Sequence, residues 1–283
     1  HLLGLGAFAM DIGAMTVFLW TFTQREVLYN VIEAICGARF TTSYTRIGGL
    51  ADDVGPEFLG RLREFVDTFP DTIDDVDRML TRNRIWLDRT VDVGVITREQ
   101  ALSAGLTGAC LRGSGVSYDV RRAFPYLDYD AYEFDVPVGT AGDCYDRYLC
   151  RIEEMRQSVA ILRQALDRLP DGPVNAGAPK TVLPEKRGVM TGMEELIHQF
   201  MVATGDALAV PDGEVYFAAE NPKGELGFLI KSSRGATSPD RLHIRGPSFA
   251  NLAILAEIAP GHMVSDMIAI LGSIDFVMGE CDR

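Results

Sequence analysis

Residues 261–283 read GHMVSDMIAILGSIDFVMGECDR, and the rest of the chain is read outward from this stretch. It begins as an amphipathic helix. Met263, Val264, Met267, Ile268, Ile270 and Leu271 recur three and four residues apart, with Asp266 as the one charge among them. Gly272 is expected to stop that helix. Ile274, Phe276, Val277 and Met278 then keep the apolar character, interleaved with Asp275, Glu280, Asp282 and Arg283. Chain ends are ordinarily polar and frayed. An apolar end that carries charges is expected to be packed, with its charges partnered. It is either a segment docked on the chain's own core or a tail that reaches into a buried site.

A chain of 283 residues makes one large domain or two smaller ones, and a hydrophobic share of 47% supports a sizeable core. The net charge of −13 argues against nucleic acid or an anionic lipid surface as a main partner. The five cysteines, Cys36, Cys110, Cys144, Cys150 and Cys281, are odd in number and include no C-x-x-C pair. That speaks against a disulfide framework or a complete metal site and suits a reducing compartment. His1, His198, His243 and His262 are too few and too scattered for a histidine metal cluster. No signal peptide is visible. The chain opens in mid-pattern with HLLGLG and without an initiator methionine, which reads as a fragment lacking an N-terminal part.

Residues 1–20 are mostly apolar and nearly long enough to span a bilayer, yet Asp11 lies among them with Gly4, Gly6 and Gly13. A membrane span would carry a heavy cost for Asp11, so a buried helix in a large assembly fits better. The pattern runs on to Gly37, as one long helix or as two broken near Gly13. Asp11 is either a carboxylate satisfied by a helix or by Arg39, or a functional group. Residues 36–49, CGARFTTSYTRIGG, read as an extended segment with a turn at Gly48-Gly49. Arg39 and Arg46 in this apolar setting make buried ion pairs or serve a site.

Residues 57–69 form an amphipathic helix that Pro70 is expected to end, and Asp71 caps another to about residue 82, with Asp74, Asp75, Asp77 and Arg78 in water. Residues 85–91 add a turn or two. Thr97 and Gln100 make a capping box, and Gly105 closes that short helix. Residues 106–143 lack periodicity, but their aromatic content argues against disorder. Such a stretch is expected to wrap over a surface or a partner. Its Gly113-Ser114-Gly115 lacks the lysine and the strand–turn–helix frame of a phosphate loop. Residues 144–169 are the longest helix, with Tyr148, Ile152, Met155, Val159, Leu162 and Leu166 as the apolar stripe. Arg147, Arg151, Glu153, Glu154 and Arg156 read as pairs on a wet face. Residues 171–188 are a connector and 193–203 a helix, with His198 partly buried. Strands follow at 214–219, 226–231 and 241–245, then helices at 248–258 and 261–271. The expectation is a mainly α fold with a small antiparallel β-sheet (α+β), a single domain over 1–283. Its helical core covers 1–210, and the sheet with the C-terminal helices covers 211–283.

Six separated stretches carry a family resemblance: DIGAMTVFLWTFTQRE, CGARFTTSYTRIGG, GSGVSYDVRR with DVPVGTAGDCYDRY, RIEEMRQS, PKGELGF and IAILGSIDFVMGECDR. In these the chain closely resembles the 49-kDa-type (D) subunit family of NADH:quinone oxidoreductase, respiratory complex I. That family is itself similar to the large subunit of nickel–iron hydrogenases, which ends in D-P-C-x-x-C-x-x-[HR] with two nickel-binding cysteines. Laid on this tail, the motif puts Asp275 on its Asp, Val277 and Glu280 on the cysteines, and Arg283 on the basic end, with Cys281 one place off. Nickel in such a site needs thiolates. The resemblance therefore implies a nickel–iron hydrogenase large-subunit-like fold without hydrogen chemistry.

The resemblance implies a subunit of proton-translocating NADH:quinone oxidoreductase that binds no NADH, flavin or cluster itself. Quinone would be the substrate, reduced beside a terminal 4Fe-4S cluster held in the neighbouring B subunit. Asp11 would orient a quinone-site histidine. Met15, Asp275 and Val277 would line the quinone pocket, and Arg39 and Arg46 would lie near the partner's cluster. In the family, RIEEMRQS lies in the core. Two departures stand out: Ile47 replaces the usual proline, and Thr41 stands where many members have histidine. The implied partners are the B and C subunits of the peripheral arm and the membrane subunit at the quinone tunnel, with no nucleic acid. The implied location is the cytoplasmic face of the inner membrane, as a peripheral protein without a transmembrane segment. The fragment alone is expected to be inactive. The alternatives are the large subunit of a related membrane-bound hydrogenase, or of a quinone oxidoreductase fed by ferredoxin or another donor.

Overall fold

The structure is a computed structural model that describes residues 1–178, 181–205 and 210–282. Arg283, laid above on the last position of the hydrogenase motif, lies outside the described residues. The N-terminal apolar run is two helices, α1 (Leu2–Asp11) and α2 (Met15–Cys36). The break falls at Gly13, whose φ of +103° is open to glycine and closed to most side chains. The two helices pack on each other where a Cβ on Gly6 would overlap Thr21 Oγ1. Leu2, Leu5, Phe8 and Ala9 of α1 are buried in the core. Its apolar length thus serves packing, and no described helix is long and apolar enough to cross a membrane.

A short hairpin follows, β1 (Thr45–Arg46) and β2 (Gly49–Leu50), with Ile47 and Gly48 at its turn, one residue earlier than expected. Then α3 (Pro56–Leu80) runs straight through Pro70, where two helices were expected. The reason is packing. Phe65, Val66 and Phe69 before the proline and Ile73, Val76 and Leu80 after it share one buried face, which a break would put out of register. An interior proline costs about 3 kcal/mol and leaves the carbonyl four residues back without its N–H. Here that carbonyl, on Val66, accepts from Arg163 Nη2 at 3.3 Å.

Next come α4 (Arg84–Thr90), capped by the Asn83 side chain, and α5 (Arg98–Ser103), which carries the expected Thr97–Gln100 capping box. The aperiodic stretch contains α6 (Ala109–Gly113) and α7 (Val120–Ala123). The rest of it is held by side chains of α8 (Cys144–Asp167). Asp146 accepts from the Thr140 and Ala141 amides at 2.6 and 2.5 Å, and Gln157 and Gln164 accept from the Asp135 and Glu133 amides. The expected wet face of α8 needs correction. Arg147, Arg151 and Glu154 are buried. Only Glu153 and Arg156 pair at the surface, where Arg156 also meets Asp74 and Asp77 of α3.

The expected connector contains α9 (Lys186–Thr191), followed by α10 (Met193–Ala203), which has no buried residue. The antiparallel sheet has the order β3 (Gly213–Asn221), β4 (Gly224–Ser232), β5 (Arg241–Arg245), with Phe217, Phe228 and Ile244 in register. The chain ends in α11 (Pro247–Ala253), α12 (Leu255–Ile258), α13 (Val264–Ile274) and α14 (Met278–Cys281). Gly272 does not stop α13. It is a contact point, where a Cβ would lie 2.5 Å from Phe8 Cδ2 of α1. The helix ends instead at Asp275, which takes a left-handed φ of +57°. One apolar cluster joins α1, α3, α8 and α13. Its centre is Trp86, with ring centroids 4.7 Å from Phe8 and 5.1 Å from Tyr148.

Candidate functional site

Where α13 crosses α1, a cleft of about 270 Å³ opens between Gly4, Ala7, Phe8 and Asp11 on one side and Ile268, Leu271, Gly272, Asp275 and Phe276 on the other. The small residues create it. Glycine at 4 and at 272 lets the two helices approach, and the Asp275 carboxylate lies against the Gly4 backbone, where any Cβ would overlap it. Asp11, the last residue of α1, stands exposed at the rim. Asp275 is largely enclosed and bonds the Lys223 ammonium at 2.9 Å. Lys223 comes from the β3–β4 turn. That turn is pressed into the body by the close passage of Gly224 over Gly108 and by the Asn251 amide donating to the Lys223 carbonyl at 3.0 Å.

Beneath the cleft, α8 contributes two buried arginines. Arg151 donates to the Ser273 and Ile274 carbonyls at 2.6 and 3.2 Å, and its Nε lies 4.0 Å from Asp275 Oδ2. Arg147 donates to Ser273 Oγ at 3.0 Å and to the Gly142 and Gly94 carbonyls at 2.8 and 2.9 Å. One turn further along α8, Glu154 accepts from Arg112 at 2.8 Å and lies 2.7 Å from His1 Nε2. Burial alone would raise the Glu154 carboxyl, but Arg112 and His1 outweigh it and hold it at about 2. Arg112 also donates to Glu220 at 2.9 Å and stands 3.7 Å from Asp119. Burial, outweighing Arg112 and aided by Asp119, pushes the Glu220 carboxyl up. Tyr118 is pushed up to about 12 by burial and by its bond to Glu225.

The cleft has apolar walls, the Asp11 carboxylate at its rim and the Asp275 carboxylate, held by Lys223 behind it, among its lining residues. Its volume lies just under the usual ligand-pocket range of roughly 300–1,000 Å³. Asp11 and Asp275, from opposite ends of the chain, are brought together here. Met15 is 53% exposed at the start of α2 and is not among the lining residues. Val277 is 39% exposed beside the lining residue Phe276, with its amide donating to Ser248 Oγ at 3.2 Å. Glu280, on a cysteine position of the hydrogenase motif, accepts from the Ser248 amide at 3.0 Å and so ties α14 to α11.

Arg39 pairs with Glu26, Asn30 and Glu33 on the exposed side of α2 rather than with Asp11. Arg46 lines a separate, larger cleft of about 800 Å³ with Ile47, Leu50, Val182, Val189 and Met190. That opening is roomier, but the buried arginines Arg147 and Arg151 lie by the smaller cleft, next to Ser273 and Asp275. Among the described residues, no group of three or more His, Cys, Asp or Glu side chains could hold a metal ion. Sequence reasoning missed Lys223 and the buried roles of Arg112, Arg151 and Glu154. A surface charge and a buried one look alike until the partner strand or helix is known.

Residues 11–283 match the family described as respiratory-chain NADH dehydrogenase, 49 Kd subunit. Over its full length the chain is 57% identical to the NADH-quinone oxidoreductase D subunit of Methylacidiphilum infernorum and 56% identical to that of Akkermansia muciniphila. It is 50% identical to the D subunit of Geobacter metallireducens. It covers 67%, 68% and 72% of those three proteins, so it spans about two thirds of the length of the curated relatives it matches.

Proposed function

The chain belongs to the respiratory-chain NADH dehydrogenase 49 kDa subunit family, and on that premise we propose that it forms this chain's side of the site where quinone is reduced. The cleft between α1 and α13 receives the quinone ring. The other side of the site is a neighbouring B subunit, whose 4Fe-4S cluster supplies the electrons. The reaction takes two electrons and two protons per quinone, and this chain's part is to bind, orient and supply charge. Asp11 at the rim and the Lys223–Asp275 pair at the floor face the ring oxygens. Met15 and Val277 border the entrance, and Arg39 and Arg46 act through their field on the partner's cluster. The subunit sits as a peripheral protein on the cytoplasmic face of the inner membrane, against the B and C subunits and the membrane subunit. On its own it reduces no quinone, because its electrons come from the neighbour.

One observation carries the reading: Asp11 and Asp275 line the same cleft although they stand at opposite ends of the chain. The test is made in the assembled complex. Asp11→Asn and Asp275→Asn are each expected to lower NADH oxidation by quinone about tenfold or more, within the range of a lost charged group at a reacting centre. Oxidation by a water-soluble artificial acceptor is expected to stay unchanged. Quinone rates that match the parent in both variants would overturn the assignment.

A further inference from the structure

Arg151 is almost wholly buried, yet one of its donors has no partner. Nη1 and Nη2 each donate to one carbonyl, those of Ser273 and Ile274, while Nε has no hydrogen bond among the described residues. Buried donors without partners are rare in folded proteins. This one is 4.0 Å from Asp275 Oδ2, about 1 Å beyond bonding range. The carboxylate meanwhile sits on Lys223 at 2.9 Å. Asp275 therefore has two cationic neighbours and bonds one of them. Its left-handed backbone follows directly on the two carbonyls that Arg151 grips. The remaining charge of this corner, Arg147, is met by Ser273 Oγ, two backbone carbonyls and Cys144 Sγ, and pairs with no carboxylate among the described residues. Among the described residues the corner thus brings the buried Arg147 and Arg151 and the partly buried Lys223 to one partly buried carboxylate, Asp275, an imbalance that favours an electron-rich oxygen from a ligand.

We propose that Arg151 is a positioning residue for the cleft. It fixes the turn from Ser273 to Asp275 and offers a second seat for the Asp275 carboxylate. When a ligand oxygen takes up the Lys223 ammonium, the carboxylate rotates onto Arg151 Nε. The exchange keeps the carboxylate paired and turns Lys223 toward the ligand. The inference rests on the reading of this cleft as the quinone site.

The test uses the assembled complex, with the artificial-acceptor rate as a control for assembly and electron entry. Arg151→Gln is expected to lower quinone turnover by about tenfold to a hundredfold, as a misplaced reacting group does. The pH profile of that turnover is expected to shift, and Arg151→Lys, which keeps the cation, to recover part of the rate. Lys223→Met is expected to be milder than Asp275→Asn, because Arg151 takes the carboxylate, and Lys223→Met with Arg151→Gln to be far worse than either alone. An assembled Arg151→Gln complex with parental quinone kinetics and pH profile overturns the proposal. If neither Arg151 variant assembles, the structure of the quinone-bound parent complex decides: an Asp275 carboxylate still on Lys223 means there is no second seat. If Asp11→Asn and Asp275→Asn are themselves silent, the cleft assignment fails. If they are damaging while Arg151→Gln is silent, only the role of Arg151 fails.

Discussion

Asp275 ends a helix at φ +57°, a conformation that asparagine and aspartate tolerate better than other side chains. Asp275→Asn therefore removes the charge and keeps the turn, which makes it the cleaner probe than alanine. Gly4 is the matching residue on α1. Gly4→Ala drives a Cβ into the Asp275 carboxylate, so we expect quinone turnover to fall at least tenfold while stability drops by only about 1–3 kcal/mol. Turnover and chemical denaturation of the same variant measure the two. Glu154 gives a pH prediction. Its carboxyl is held at about 2 against an ordinary 4.5, so its contribution is complete above pH 4.5 and is lost as pH falls toward 2. That contribution is roughly 3 kcal/mol at most. Glu220, shifted the other way, stabilises below the ordinary carboxyl range and loses that stability as pH rises through its folded value. Glu154→Gln should therefore lower stability at neutral pH and flatten its decline between pH 4.5 and 2. Urea titrations across that range would refute the assignment if the decline kept its slope.

At the scale of elements, α3 and α8 explain each other. A proline in mid-helix is tolerated because the neighbouring helix brings Arg163 to the Val66 carbonyl, and because the buried face on either side of Pro70 is continuous. Pro70→Ala returns an N–H to that carbonyl and should raise stability by about 1–3 kcal/mol, less than the full proline cost because Arg163 already bonds the carbonyl. Arg163→Met should then cost less in the Pro70→Ala background than in the parent, by about 0.5–1 kcal/mol in a double-mutant cycle. Additive effects would mean that the Arg163 bond does not stand in for the missing one. In α8 the usual division into wet and dry faces fails over its first half. The loops around Gly94 and Gly142, α13, Arg112 of α6 and His1 surround it, so its charges are answered from other parts of the chain.

Across the molecule, order is unevenly spread. The β3–β4 hairpin is anchored at its Asn221–Gly224 end, while Val215, Phe217 and Ile230 of the hairpin and Leu242 and Ile244 of β5 are exposed. The α10 helix likewise leaves Met193, Leu196, Ile197 and Phe200 in solvent. Apolar surface on this scale marks faces that meet other chains, in keeping with a subunit proposed to work inside an assembly. Hydrogen exchange of the chain alone should show α8 and α13 slowest and α10 with the far end of the sheet fastest. The latter should gain protection only in the assembled complex. Equal protection of α10 and α8 in the chain alone would contradict this distribution.

The sequence by itself determined the α+β class, the capping box at Thr97, the strands of the C-terminal sheet, the span of α10 and the kinship with the 49 kDa subunit family. Each of these is written in local periodicity, in residues three or four apart, or in contiguous motifs. Tertiary structure alone decided that α3 survives Pro70 and that α13 passes Gly272, because both depend on what packs against the helix. It also decided that Arg112, Arg151 and Glu154 are buried, and that Lys223 of a β-turn meets Asp275. Those outcomes are long-range pairings. A charge is worth burying only where its partner arrives from another element, and no spacing along one segment records that arrival.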